Sequence, residues 1–79
     1  MHWRDRIEQN PEVMLGKPVI RGTRITVEHL LEKLGSGWSD TQILESYPHL
    51  KVDDIRAALS YAAQSLSSDE TILLAEISR

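Results

Sequence analysis

GKPVIRGTRI, residues Gly16 to Ile25, carries two glycines, one proline and three cations around a short β-branched run. Pro18 fixes its own φ and pushes Lys17 toward an extended conformation. Val19 and Ile20 favour a strand, and Gly22 permits a positive φ at the turn before Thr23. The stretch therefore predicts a stiff extended-turn-extended element, a β-arm over about Pro18–Arg21 that displays Arg21 and Arg24. Upstream, Ile7, Val13 and Met14 are candidates to pair with the arm or to pack under it, and Trp3 is expected to pack over it.

Downstream of the arm, three helices follow. Val27, Leu30, Leu31 and Leu34 recur at i, i+3, i+4 and i+7 as one apolar stripe. Thr26 stands where an N-cap belongs, Ile25 and Leu30 are placed for a hydrophobic staple, and Gly35 and Gly37 offer the stop. Ser39 and Gln42 form a capping box, with Trp38 and Ile43 as its staple, and Pro48 closes this short second helix at about Tyr47. Leu50, in the turn after it, is expected to point inward. The third helix carries Ile55, Ala58, Leu59, Ala62 and Leu66 as its apolar stripe, with Asp53 and Asp54 favouring its first turn through the macrodipole. Two short helices joined by a tight turn and supported by a third predict a mainly α, helix-turn-helix-like trihelical bundle behind a short β-arm or hairpin. Ser67, Ser68 and Asp69 read as a break. Residues 1–66 then form the domain, and 67–79 form a C-terminal segment, a candidate partner-binding helix whose cluster Ile72, Leu73, Leu74 and Ile77 is too short to persist alone in water.

Seventy-nine residues leave room for one core, and a chain of this size buries only about 60% of its unfolded surface, so oligomerisation is a common aid. Surplus apolar surface at Ile72–Ile77 and on the Ala58/Ala62 face predicts a homodimer. The absence of cysteine excludes disulfides and thiolate metal sites. MHWRDRIEQN contains no apolar leader core and no apolar run is long enough to span a bilayer, so a cytoplasmic domain is expected. Net charge is −3, and residues 34–79 hold three cations against seven acids, unlike a chain that binds nucleic acid avidly by neutralising phosphates.

GKPVIRGTRI followed by Val27, Leu34-Gly35-Ser36-Gly37, Ile43-Leu44, Tyr47-Pro48-His49-Leu50, Asp53-Asp54-Ile55, Ala58-Leu59 and Tyr61-Ala62 resembles the domain-of-unknown-function family 433 over about Ile7 to Ala63. The resemblance implies a homeodomain-like trihelical fold with a short β-arm. It also implies the role of antitoxin in a prokaryotic toxin–antitoxin pair, the partner being a PIN-like ribonuclease toxin. At the cap of the third helix the family tends to place a hydroxyl residue, and this chain has Lys51. Losing such a cap costs about 1 kcal/mol, and either Asp53 or Asp54, or a bound anion, is needed to offset the cation at the helix's positive end.

Arg21, Thr23 and Arg24 have two readings, a phosphate grip or internal bracing of the arm through Glu28, Glu32 or a carbonyl. Lys51 and Arg56, with Ser60 and Gln64, either line the exposed face of a recognition helix or form an ordinary solvated face. His2, His29 and His49 lack metal-ligand spacing, no serine or threonine sits in a nucleophile signature, and the glycines match no phosphate-cradling loop. No enzyme and no cofactor are expected. Three functions compete: an antitoxin whose residues Ile72, Leu73, Leu74 and Ile77 cover a ribonuclease; a regulator that binds operator DNA, weakly when alone; and a dimerisation module with no nucleic-acid role.

Overall fold

The computed structural model describes residues 2–77, with side-chain placements through Ser67. A two-stranded antiparallel hairpin, β1 (Ile7–Glu8) and β2 (Val19–Ile20), precedes three helices, α1 (Val27–Gly35), α2 (Asp40–Ser46) and α3 (Val52–Ile77). The fold is thus mainly helical, as the periodicities predict.

Val19 is the pivot of the arm. It pairs with Glu8 on one side and bridges to Thr26 on the other, while Ile20 opposes Ile7. Gly22 has φ +80°, the conformation required of it. The hydroxyl of Thr23 donates to the Ile20 carbonyl at 2.8 Å and accepts from the Ile25 N–H at 3.0 Å, which closes the turn. Of the three residues expected to support the arm, Ile7 pairs with it, Val13 is half-buried, and Met14 does neither. Met14, Leu15 and Gly16 instead form a left-handed turn with φ of +50°, +60° and +83°. This turn leaves Leu15 93% exposed. Trp3 also departs from expectation: it sits edge-on against Tyr61 of α3, with ring centroids 5.0 Å apart, rather than over the arm. The reason is topological, since the N-terminal turn Trp3–Asp5 lies against α3.

The helix boundaries follow the local signals. Thr26 accepts from the His29 N–H at 2.9 Å, and both halves of the Ser39–Gln42 capping box are present. The stop of α1 is Gly37 at φ +100°, not Gly35, which remains helical. The Gly37 N–H donates to Leu34 and the Trp38 N–H to Lys33, both at 3.0 Å, the two bonds of a Schellman motif. Lys33 Nζ then lies 4.6 Å from the centroid of the Trp38 ring. At α3 the reciprocal half of a capping box is present: Asp54 Oδ2, at N3, accepts from the Lys51 backbone N–H at 2.8 Å.

Ile7, Val19, Ile20, Val27, Leu30, Ile43, Leu50, Ile55, Ala57 and Ala58 are buried, and Leu50 points inward as expected. The face of α3 turned to this core centres on Ala58, which brings Asp54, Ile55 and Ala57 inside. Leu59 and Leu66, expected on the buried stripe, are instead 46% and 52% exposed. At about 100° per residue, a stripe drawn through Ile55, Leu59 and Leu66 drifts off the Ala58-centred face, and the small side chains at 57 and 58 do the close packing. Ala58 therefore belongs to the chain's own core and contributes nothing to a surplus face. Helix α3 also passes through Ser67, Ser68 and Asp69 without the expected break. Around this stretch Ser65 and Ser67 turn their hydroxyls back onto the carbonyls of Tyr61 and Gln64, both at 2.9 Å. No described helix is long and apolar enough to cross a membrane.

Candidate functional site

The predicted polar residues are not gathered into one place. Arg21 is a brace: its Nε and Nη2 donate to the carbonyls of Asp5 and Arg4, both at 3.1 Å, and its Nη1 lies 3.8 Å from Glu8. Of the bracing partners expected, Glu28, Glu32 or a carbonyl, it is the carbonyl that serves. Glu28 is paired instead with Lys17 at 3.3 Å. Glu8 also accepts from the Gly22 N–H at 3.2 Å, so one carboxylate fixes both Arg21 and the turn that follows it. The hydroxyl of Thr23 is committed to the arm's own backbone.

Arg21 borders a polar hollow shared with Asp5, Arg6 and Asp54, whereas Arg24 borders a different one beside Ile25, His29 and Tyr47. In the latter, His29 Nε2 and the Tyr47 hydroxyl share a 2.6 Å hydrogen bond that ties α1 to the end of α2. Arg24, Lys51 and Arg56 are exposed and form no ion pair among the described residues. The first turn of α3, where a recognition helix would meet a phosphate backbone, is held by Arg6, 3.0 Å from Asp54 and 3.7 Å from Asp53. Ile72, Leu73, Leu74 and Ile77 stand in the last turns of α3, and their side chains lie outside the described residues. Among those described, no group of three or more His, Cys, Asp or Glu is placed to hold a metal ion.

One concavity was not foreseen from the sequence. Between α1 and the middle of α3 runs an open, apolar groove of about 460 Å³. Val27 and Leu31 form one wall, Tyr61, Ala62 and Leu66 the other, and Pro18 closes one end. Charge is confined to the rim, where Lys17, Glu28 and Glu32 stand. Two features hold the groove open. Tyr61 is fixed by the edge of Trp3 and by a 3.4 Å bond from its hydroxyl to Gln9 Oε1, and Pro18 is fixed by accepting from the Val27 N–H at 2.9 Å. Apolar walls with a polar rim are the anatomy of a binding surface.

The signal for this groove was present in the α1 stripe. Val27 and Leu30 are buried while Leu31 and Leu34 are only half-buried, so the stripe is wider than one helix contact can cover. Periodicity locates such a stripe without saying which edge stays open.

Fold and groove together define a small three-helix domain, clasped by a β-hairpin, with an apolar groove between α1 and α3. The chain belongs to the family described as protein of unknown function (DUF433), which it matches over residues 7–62. It is similar to a crystal structure of a DUF433 member protein from Anabaena variabilis ATCC 29413, with 30% identity and a TM-score of 0.72, covering 96% of this chain and 71% of that one. It is also 36% identical over 59 residues to the uncharacterized protein y4eO of Sinorhizobium fredii (strain NBRC 101917 / NGR234), a match that covers 75% of this chain. The match spans 27% of that relative's length.

Proposed function

We propose that this chain is a cytoplasmic antitoxin that acts by binding, not catalysis, and neutralises a PIN-like ribonuclease toxin through direct contact. The observation that carries this reading is the apolar groove between α1 and α3, on whose rim Glu28 is paired with Lys17 and Glu32 forms no ion pair among the described residues. It accepts a hydrophobic segment of a partner and sets carboxylates beside it, which suits the basic, RNA-binding surface of a nuclease. The acidic balance of the chain supports the same polarity. The segment 67–79, with Ile72, Leu73, Leu74 and Ile77, extends the contact along the partner.

Co-expression with a PIN-like ribonuclease is the direct test. The full chain should relieve growth arrest and block RNA cleavage. Leu31→Glu in the groove, or deletion of 68–79, should abolish relief while circular dichroism shows the domain still folded. Failure of the full chain to protect against that nuclease rejects the reading.

Autoregulation through operator DNA is a second reading, favoured by the exposed cations Arg24, Lys51 and Arg56. It requires the complex with toxin to bind DNA more tightly than the chain alone. Arg24→Ala and Lys51→Ala should each flatten the salt dependence by about one phosphate contact.

A further inference from the structure

Arg24 ends the arm with nothing to hold. Its guanidinium makes no hydrogen bond or ion pair among the described residues, although Arg21 is held by Arg4, Asp5 and Glu8. The hollow it borders, of about 230 Å³, is walled by Met14, Ile25, Thr26, His29 and Tyr47. Among the described residues none that lines it is acidic, so the cation is not balanced there. His29 and Tyr47 add a donor. A neutral imidazole and a phenol carry one N–H and one O–H, and the 2.6 Å bond between His29 Nε2 and the Tyr47 hydroxyl uses one of them. The other is left at His29 Nδ1 if the tyrosine donates, and at the Tyr47 oxygen if the histidine donates. Neither atom has a further partner among the described residues. The two rings meet edge-on, with centroids 5.8 Å apart, so α1 and the end of α2 hold this donor in place. Met14 supplies an apolar wall under strain. It keeps φ +50° while 42% exposed, so burial does not repay the conformation, and such strain collects at ligand clamps.

We propose that this hollow binds a small organic carboxylate with a short apolar body, such as an aromatic acid. The planar fork of Arg24 matches the two oxygens of a carboxylate. The donor left over on the His29–Tyr47 pair serves the same head group, and Met14 and Ile25 flank the body. A bare phosphate would meet the charge and leave those apolar walls facing water. The volume is below the roughly 300–1,000 Å³ of pockets that enclose drug-sized ligands, which sets the ligand at a single ring or a short chain. Only Thr26 lines both this hollow and the α1/α3 groove, so the site stands or falls apart from toxin binding.

The experiment titrates the full chain with sodium benzoate at neutral pH and follows the ring signals of His29 and Tyr47 by NMR. Benzoate should shift them saturably with a Kd of about 1 mM, within reach of a ligand of roughly nine heavy atoms. Benzyl alcohol keeps the ring without the charge, and inorganic phosphate keeps the charge without the ring. Each should bind about tenfold more weakly or worse, as should benzoate to Arg24→Gln. Met14→Asp should also lose benzoate, because it sets a carboxylate at the hollow in a residue type that tolerates the left-handed conformation. Both positions are exposed, and unchanged circular dichroism verifies that the fold is kept. Absence of a saturable shift overturns the proposal, as does benzoate binding indifferent to both variants. Benzyl alcohol or phosphate matching benzoate overturns the ligand chemistry assigned here. A duplex oligonucleotide that shifts these signals where benzoate does not gives Arg24 to a phosphate backbone and overturns the site.

Discussion

Arg6 Nη1 donates to Asp54 Oδ1 across 3.0 Å, joining the residue before β1 to the first turn of α3, 48 positions further along the chain. The other oxygen of Asp54 caps that helix through the Lys51 N–H at 2.8 Å. One buried carboxylate therefore serves as helix cap and as ion-pair partner. It makes the half of a capping box that needs no hydroxyl at position 51.

Replacing Asp54 should be costly for both reasons. Asp54→Ala removes the cap and strands the Arg6 guanidinium, and should lower unfolding free energy by about 2–3 kcal/mol in urea titrations. Asp54→Asn retains an acceptor for the Lys51 N–H and should lose roughly half as much. Equal losses for the two would show that the charge contributes nearly everything.

Gly22 and Gly35 should respond with opposite signs. A Cβ at Gly22 meets nothing within 4 Å, so the penalty of Gly22→Ala is purely that of a φ of +80°, about 1–2 kcal/mol. Gly35 is helical with open space around it, and Gly35→Ala should gain about 0.5 kcal/mol by propensity. Thermal melts of the two variants, moving in opposite directions from wild type, check this.

The two arginines of the arm should also separate. Arg21→Ala loses two bonds to main-chain carbonyls and should destabilise by about 1 kcal/mol. Arg24→Ala breaks no ion pair and should stay within about 0.5 kcal/mol of wild type. If Arg24→Ala proves the more destabilising in denaturant titrations, the bracing role given to Arg21 is wrong.

Leu15 offers an improvement. It holds a left-handed conformation, φ +60° and ψ 29°, while almost wholly exposed, so its side chain gains little packing in return for the strain. Asparagine adopts that conformation more readily, and Leu15→Asn should raise stability by about 0.5–1 kcal/mol. A lower denaturation midpoint would mean that the exposed leucine packs more than its surface area suggests.

What could be read in the sequence was what short-range geometry decides. The Thr26 cap, the Ser39–Gln42 box, the Pro48 stop and the positive φ of Gly22 each depend on residues a few positions apart, and each is present. Bracing of Arg21 by a carbonyl is one of the readings the sequence allows, but which carbonyls could not be read, because they lie 16 and 17 residues away. The face of α3 was misplaced for a related reason. Leucine is the stronger apolar signal, but alanines 57 and 58 are what fit against the neighbouring helices, which leaves Leu59 outside. The groove escaped notice because its walls come from α1, α3 and Pro18, and only their assembly brings them together.

The edge-on seat of Trp3 against Tyr61 has a kinetic consequence. Together with the Gln9–Tyr61 bond, which spans 52 positions, it closes long loops between the N-terminal turn and α3. Loop closure on that scale gains little until α1, α2 and α3 have docked through their nearer contacts, so the N-terminal turn joins late, after the rate-limiting step of folding. Its bonds then resist escape from the native state without hastening arrival there. Loss of the Trp3 ring should accelerate unfolding in stopped-flow measurements and leave the refolding rate almost untouched. The first few residues of this chain thus set how long the folded domain lasts, while the helices set how quickly it forms.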